Sequence, residues 1–327
     1  MTRTILIVGA TGGIGSETAR ALLAHGWTVR ALTRDPEQAA QRFASLGKID
    51  WIRGDAMNPA DVVAAARGVD VLMHAANPPG YRNWAGLALP MLESSIAAAR
   101  AASARLVFPG TVYNFGPETF PKIAESAPQQ PRTRKGAIRV AMEQRLEQAS
   151  RDGLSVLIVR AGDFFGAGAG NNWFRQGLIK PGKLLRSVSY PGKPEAGHDW
   201  AYLPDLAETF AQLLERSAEL STFDVFHFEG HWFERGVELA EATRRVAGIP
   251  DAPVRSFPWF AVYLLAPFVE TFRELLEMRY LWQSSLRLDN RKLVAFLGRE
   301  PHTPLDAALR VTLESFQCLP KEARLSA

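Results

Sequence analysis

The sequence predicts an α/β fold: a doubly wound, mostly parallel sheet with helices on both faces and a smaller, mostly helical C-terminal lobe. Three observations carry that prediction. Short β-rich runs alternate with helical stretches through the first half of the chain. Several of those runs are almost continuously apolar, as strands covered on both faces are. Between the first run and the first helical stretch lies Gly9-Ala10-Thr11-Gly12-Gly13-Ile14-Gly15, with glycine at every third position.

The strand candidates are residues 5–8, 28–33, 50–53, 70–74, 105–108 and 155–160, with one more at 223–228. Asp35-Pro36 and Asn58-Pro59 each place an oxygen-bearing cap before a proline at the first helical position. After Arg160 the texture changes. Residues 161–172 and 179–197 are rich in glycine or in glycine, proline and lysine, and they read as loops. Helices are expected over 205–216, 235–247, 258–282 with an interruption at Pro267, and 304–316. The dinucleotide-type domain is assigned to 1–165, with 198–230 returning to it. Residues 166–197 and 231–327 form the second lobe.

A chain of 327 residues, 47% apolar and 22% charged, can bury a large core without disulfide or metal staples. Its one cysteine, Cys318, cannot form an internal disulfide and is too isolated for a metal site, which fits a reducing compartment. Met1-Thr2-Arg3 runs directly into the first strand with no signal-peptide pattern, so a cytoplasmic protein is expected. The net charge of +4 comes with no long basic run, and no nucleic-acid partner is expected. The most apolar stretch, 259–269, is too short to span a bilayer and contains Pro267. It is expected as a buried helix, with a membrane-surface or partner-binding role as the lesser alternative, and no membrane partner is assigned.

The glycines have separable tasks. Gly9 allows a tight turn at the strand end, Gly12 lets a phosphate approach the main chain, and Gly15 lets the helix pack on the sheet. The helix opening at Gly13 and Ile14 then aims free N–H groups and its positive dipole end at a pyrophosphate, with Thr11 alongside. At the end of the second strand, Thr33 and Arg34 stand where a ribose-binding acid would favour NAD(H). Asp35 is engaged as a cap, so NADP(H) is preferred and NAD(H) is the alternative.

These stretches resemble the extended short-chain dehydrogenase/reductases of the NAD-dependent epimerase/dehydratase type, a Rossmann-fold family. Gly54-Asp55 resembles the pair at which that family meets adenine, with Ala56 next to it. Residues 70–76 resemble its fourth strand, whose tail at Ala75 and Ala76 runs beside the cofactor and in which His74 is structural. Val112-Tyr113, Arg160 with Phe165-Gly166, the run from Asp199 to Asp205, and Asp289, Lys292, Leu297-Gly298 and Pro301 complete the resemblance. The family's dimers imply that a homodimer here would use helices around 87–101 and 138–150.

The resemblance breaks at the chemistry. The family uses a tyrosine four residues before a lysine, and here the register holds Lys135 and Arg139, with Glu143 matching a later family glutamate. Thr111 stands near the family's serine position. Lys135 can donate a proton only if burial or a neighbouring cation lowers its pKa, Arg139 can still hold the nicotinamide ribose, and Tyr113 is a second proton donor. The alternative is that Lys135 is a surface lysine and no proton is transferred. These departures resemble atypical members of the superfamily, including NmrA-like regulators. Two functions follow: an NADP(H)-dependent reductase of a small carbonyl or unsaturated substrate, or a non-catalytic cofactor-binding regulator. Sugar-nucleotide epimerisation ranks third, because Arg175, Lys180, Lys183 and Arg186 read as solvated rather than as a diphosphate clamp. Tyr81, Trp84, Phe115, Phe164, Phe165, Trp173 and Trp200, together with loops 77–84 and 164–173, suggest a pocket for an apolar or ring-containing substrate.

Overall fold

The alternating runs form the elements expected of them. A computed structural model describes residues 2–78, 83–168, 170 and 172–320, so Tyr81 of the expected pocket lies outside the described residues. In chain order come β1 (Thr4–Val8), α1 (Gly13–Ala24), β2 (Thr28–Thr33), α2 (Pro36–Arg42), β3 (Ile49–Arg53), α3 (Pro59–Ala65) and β4 (Val71–His74). Then follow α4 (Trp84–Ala102), β5 (Arg105–Thr111), a two-residue β6 (Lys122–Ile123), α5 (Arg134–Arg151) and β7 (Val156–Ala161). Asp35 and Asn58 cap their helices as expected, accepting from the N–H of Gln38 and Ala60.

Beyond β7 lie β8 (Asp163–Phe165), β9 (Val188–Tyr190), β10 (His198–Tyr202), α6 (Leu203–Glu215), β11 (Phe223–Phe228) and β12 (His231–Phe233). The chain ends with α7 (Glu238–Val246), β13 (Val254–Ser256), α8 (Trp259–Leu265), α9 (Glu270–Met278), β14 (Arg287–Leu288), α10 (Arg291–Leu297) and α11 (Leu305–Ser315). Strands β8 and β9 fall in segments expected as loops. Each is three residues long and pairs with distant sequence, too short for alternation to reveal.

The main sheet runs β11-β7-β5-β4-β1-β2-β3, and every neighbouring pair is parallel. Alternation along β1 builds two cores. Ile5 and Ile7 pack with α1 and α6 on one face, while Leu6 and Val8 pack with α3, α4 and α5 on the other. Strand order reverses between β1 and β4, so the crevice beyond their carboxyl ends is the expected ligand position. β5 continues past Phe108 through Pro109 and Gly110, because a side chain at Gly110 would collide with Arg160 on β7. On α4, Ala98 and Ala99 are buried in the chain's own core rather than offered outward.

Beside the main sheet lie a further core and three small sheets, β12-β10-β8, β13-β9 and β14-β6, in which β6, β8 and β10 come from stretches assigned to the dinucleotide-type domain. Here the expected aromatic pocket is corrected. Phe115, Phe165, Trp173 and Trp200 are buried in this core, Phe115 against His227 and the other three against Phe174, Tyr202 and Trp282. They fill space rather than line an opening. The expected buried helix at 259–269 is corrected too. α8 stops before Pro267, and its buried side is only Val262 with the following Ala266. Phe260, Tyr263, Leu264, Leu265, Phe268 and Val269 are exposed, because the short helix meets the lobe along one narrow line. Among the described residues no helix is long and apolar enough to cross a membrane.

Candidate functional site

The bend after β1 is built from main chain. Gly9 has φ +97°, a left-handed conformation that glycine adopts without strain. A side chain there would also lie 2.6 Å from the peptide joining Ala75 and Ala76, whose segment leaves β4 beside it. Gly15 is equally constrained, since its Cβ would sit 2.3 Å from the Gly9 carbonyl oxygen. Gly12 is different. Its nearest neighbour would be that same oxygen at 3.4 Å, ordinary contact, and Thr11 and Gly12 are exposed. Nothing in the protein's own packing requires Gly12 to lack a side chain. Gly12 is also the N-cap of α1, where no side chain caps the helix and no acid stands in the first turn. The N–H groups of Gly13, Ile14 and Gly15 therefore begin a helix with its positive end open. This cradle fits a diphosphate.

At the ends of β2 and β3, Thr33 is half-buried and its hydroxyl accepts from the Asp35 N–H, while Arg34 is exposed. Thr33 pairs in register with Arg53, whose guanidinium donates to the Arg34 carbonyl and to Glu37. Two arginines thus meet at one edge. Arg53 went unremarked in the sequence because nothing local joins it to β2. Asp55 is exposed and accepts from the Met57 N–H, with half-buried Ala56 between them.

The second cluster is built from side chains. Thr133 caps α5 by accepting from the Gly136 N–H. Gly136 lets the first turn press onto the turn at Val112–Asn114, since a Cβ there would lie 2.3 Å from the Tyr113 carbonyl oxygen. This sets α5 against Tyr113, which interacts electrostatically with Arg139 and whose N–H donates to Thr111. Lys135 is not the surface lysine of the alternative reading: it is 2% exposed, with its Nζ 2.7 Å from a Glu274 carboxylate oxygen and 5.7 Å from the Trp84 ring centre. Burial holds its ammonium below the ordinary lysine range. Glu274 and Glu277 oppose that shift and Arg134 reinforces it. Arg134 binds the same α9 carboxylates, at 3.1 Å from Glu274 and 2.9 Å from Glu277.

Arg139 is 6% exposed, and burial draws its guanidinium down to about 10. It donates to the Pro109 carbonyl and to Asn77 and stacks on Phe108. Its Nε is buried and has no hydrogen-bond acceptor. The sequence could not reveal Glu274, which stands 139 positions from Lys135 on a helix of the other lobe.

Two residues matched separately in the sequence pair in the interior. Arg160 and Glu143 form a buried ion pair at 2.6 Å, with Gln129 donating to Glu143 and Arg160 reaching the Glu125 carbonyl and His227. His74 is buried: its Nδ1 meets Ser95 at 2.8 Å, and burial, with Arg139, lowers its pKa to about 3. Asp205 binds Thr303, and Lys292 binds Asp224, so the C-terminal matches stitch the tail to α6 and to the sheet edge. A separate open cleft of about 550 Å³ is lined by Arg175, Gln176, Ile179, Lys180, Pro181 and Lys183, none of which belongs to either cluster.

Residues 5–227 match the model of the NAD dependent epimerase/dehydratase family. An NmrA-like family domain-containing oxidoreductase of Aspergillus sp. (strain MF297-2) is 41% identical over 68 residues, a stretch spanning 20% of this chain and 20% of that protein. Among solved structures, a UDP-glucose-4-epimerase from Stenotrophomonas maltophila with bound NAD and formylated UDP-arabinopyranose superposes with a TM-score of 0.76. It is 18% identical, over 96% of this chain and 98% of that one. A UDP-glucose 4-epimerase from Bifidobacterium longum, in complex with NAD+ and UDP, gives a TM-score of 0.72 at 18% identity with the same coverage. At these identities the structural likeness speaks for the fold.

Proposed function

The chain belongs to the NAD dependent epimerase/dehydratase family, and on that premise we propose that it is an NADP(H)-dependent oxidoreductase, of reductase type, acting on a small carbonyl or unsaturated substrate. The observation that carries the cofactor half is the spare room at Gly12 above the uncapped start of α1. Main-chain N–H groups of residues 13–15 would hold the diphosphate. Exposed Arg34, with Arg53 paired to Glu37 beside it, would face the adenosine ribose, which favours a 2′-phosphate. The bound dinucleotide supplies the hydride. Arg139 offers its free Nε to the nicotinamide ribose. Lys135, lowered by burial, releases a proton from Nζ to the substrate oxygen, with Glu274 holding the ammonium in place. Trp84 beside Lys135 supports an apolar or aromatic substrate.

A non-catalytic regulator remains the second reading, favoured by one observation: both residues replacing the family pair already hold protein groups, Glu274 and the Pro109 carbonyl. Incubation with NADPH and a panel of aldehydes, ketones and enones separates the two. Cofactor oxidation that collapses in Lys135→Met supports the reductase. Saturable NADPH binding with no turnover on any substrate supports the regulator. A melting temperature unmoved by either NADPH or NADH removes both.

A further inference from the structure

The segment around α8 is apolar outward and anchored inward. Phe260 is 82% and Phe268 83% exposed, with Leu264 at 62% and Tyr263 at 51% between them. Contiguous apolar exposure of this kind on a folded chain marks a contact surface. Two aromatic residues at its border carry polar handles that point back into the protein. Trp259 donates to the Pro191 carbonyl at 2.7 Å, and the Tyr263 hydroxyl accepts from Arg279 at 2.6 Å.

Between Asp251, which is exposed, and Glu270 the sequence has no acidic residue. Arg255 and Arg273 are exposed, and the Arg279 guanidinium lies over the Trp259 and Tyr263 rings. The acids Glu274 and Glu277 on α9 are turned the other way, onto Arg134 and Lys135. The segment is thus sorted into an acidic inner side and an apolar outer side rimmed with arginine.

That sorting decides among occupants. A second copy related by a two-fold axis would set each arginine rim against its own image, like against like. A surface that is apolar within and anionic at its boundary complements both features, and a phospholipid leaflet is such a surface. The side chains suit it: bulky aromatic and leucine tips to enter the acyl boundary, Trp and Tyr at headgroup level, and arginines to meet phosphate. We propose that the α8 face docks on an anionic phospholipid bilayer, lying on the leaflet without spanning it. The sequence-based expectation of no membrane partner rested on burial of this segment, and that burial is absent. The inference does not depend on the reductase reading.

The test is flotation of the full chain with vesicles of phosphatidylcholine alone and of phosphatidylcholine mixed with phosphatidylserine. The mixed vesicles should carry the protein to the top of the gradient, and added salt should release part of it. The Phe260→Ser/Phe268→Ser double variant should reduce bound protein about tenfold with an unchanged melting temperature and NADPH-induced shift. Should that variant fail to fold, the exposed charge reversals Arg255→Glu/Arg273→Glu carry the test and should weaken binding to the mixed vesicles by a similar factor. No flotation with either vesicle, or flotation that survives both double variants, overturns the proposal. So does a dimer in size-exclusion chromatography that the phenylalanine variant converts to a monomer, since a second copy would then cover the face.

Discussion

The two ends of the candidate site are built by different means. The bend at Gly9 to Gly15 is local main chain: one strand end, one tight turn and one helix start, open to solvent at Thr11 and Gly12. The cluster at Lys135 and Arg139 is side chain, assembled from α5, the Val112–Asn114 turn, Asn77 and α9 of the other lobe. The first end leaves room for something outside the protein. The second end is occupied by the protein's own groups. Backbone N–H groups do not depend on residue identity, whereas the contacts of Lys135 and Arg139 do.

Several experiments would break or sharpen that contrast. The largest effect is expected deep behind the second end, at the Arg160–Glu143 pair. Glu143→Ala strands a buried guanidinium and should cost about 3–5 kcal/mol in chemical denaturation. A loss below about 1 kcal/mol would mean the pair is solvated. At the first end the glycines should separate. Gly15→Ala collides with the Gly9 carbonyl and should cost about 3 kcal/mol. Gly12→Ala should leave the coenzyme-free melting temperature in place and abolish the rise produced by NADPH. If the two behave alike, the spare room at Gly12 is not a ligand site.

Smaller effects probe each end singly. Glu274→Gln removes the opposing carboxylate, so burial and Arg134 lower the Lys135 pKa further. A lysine acting as an acid loses activity as pH rises through its pKa. The alkaline fall in kcat/KM should therefore move to lower pH by about one unit, and an unmoved profile would remove Lys135 as the donor. Arg34→Ala should weaken NADPH about tenfold while sparing NADH, as measured by calorimetric titration. Thr133→Ala removes the cap of α5 and should cost about 1 kcal/mol, with activity falling only if the first turn frays from Tyr113.

How much could be read in the sequence follows the same division. Runs at 28–33 and 223–228 form β2 and β11 over those same residues, since apolar continuity is a property of the strand itself. The caps at Asp35 and Asn58 act within three residues of their targets. The aromatic residues were misplaced for a physical reason: Trp200 or Phe165 has the same composition signal in a core as in a pocket, and only its neighbours distinguish them. The exposure of Phe260 and Phe268 ran against hydropathy itself, which reports a preference for leaving water and not the presence of a partner to receive the side chain.

By itself, then, the sequence determined what local backbone geometry determines: a parallel doubly wound sheet and the glycine bend at its first strand. The tertiary structure alone decided what the charged side chains meet. Glu274 meets Lys135, Arg53 meets the Arg34 carbonyl, and Arg160 meets Glu143, across 139, 19 and 17 positions of chain. Such pairings carry no periodic signature, because a charge is matched by whatever the fold brings within reach and not by its place along the chain.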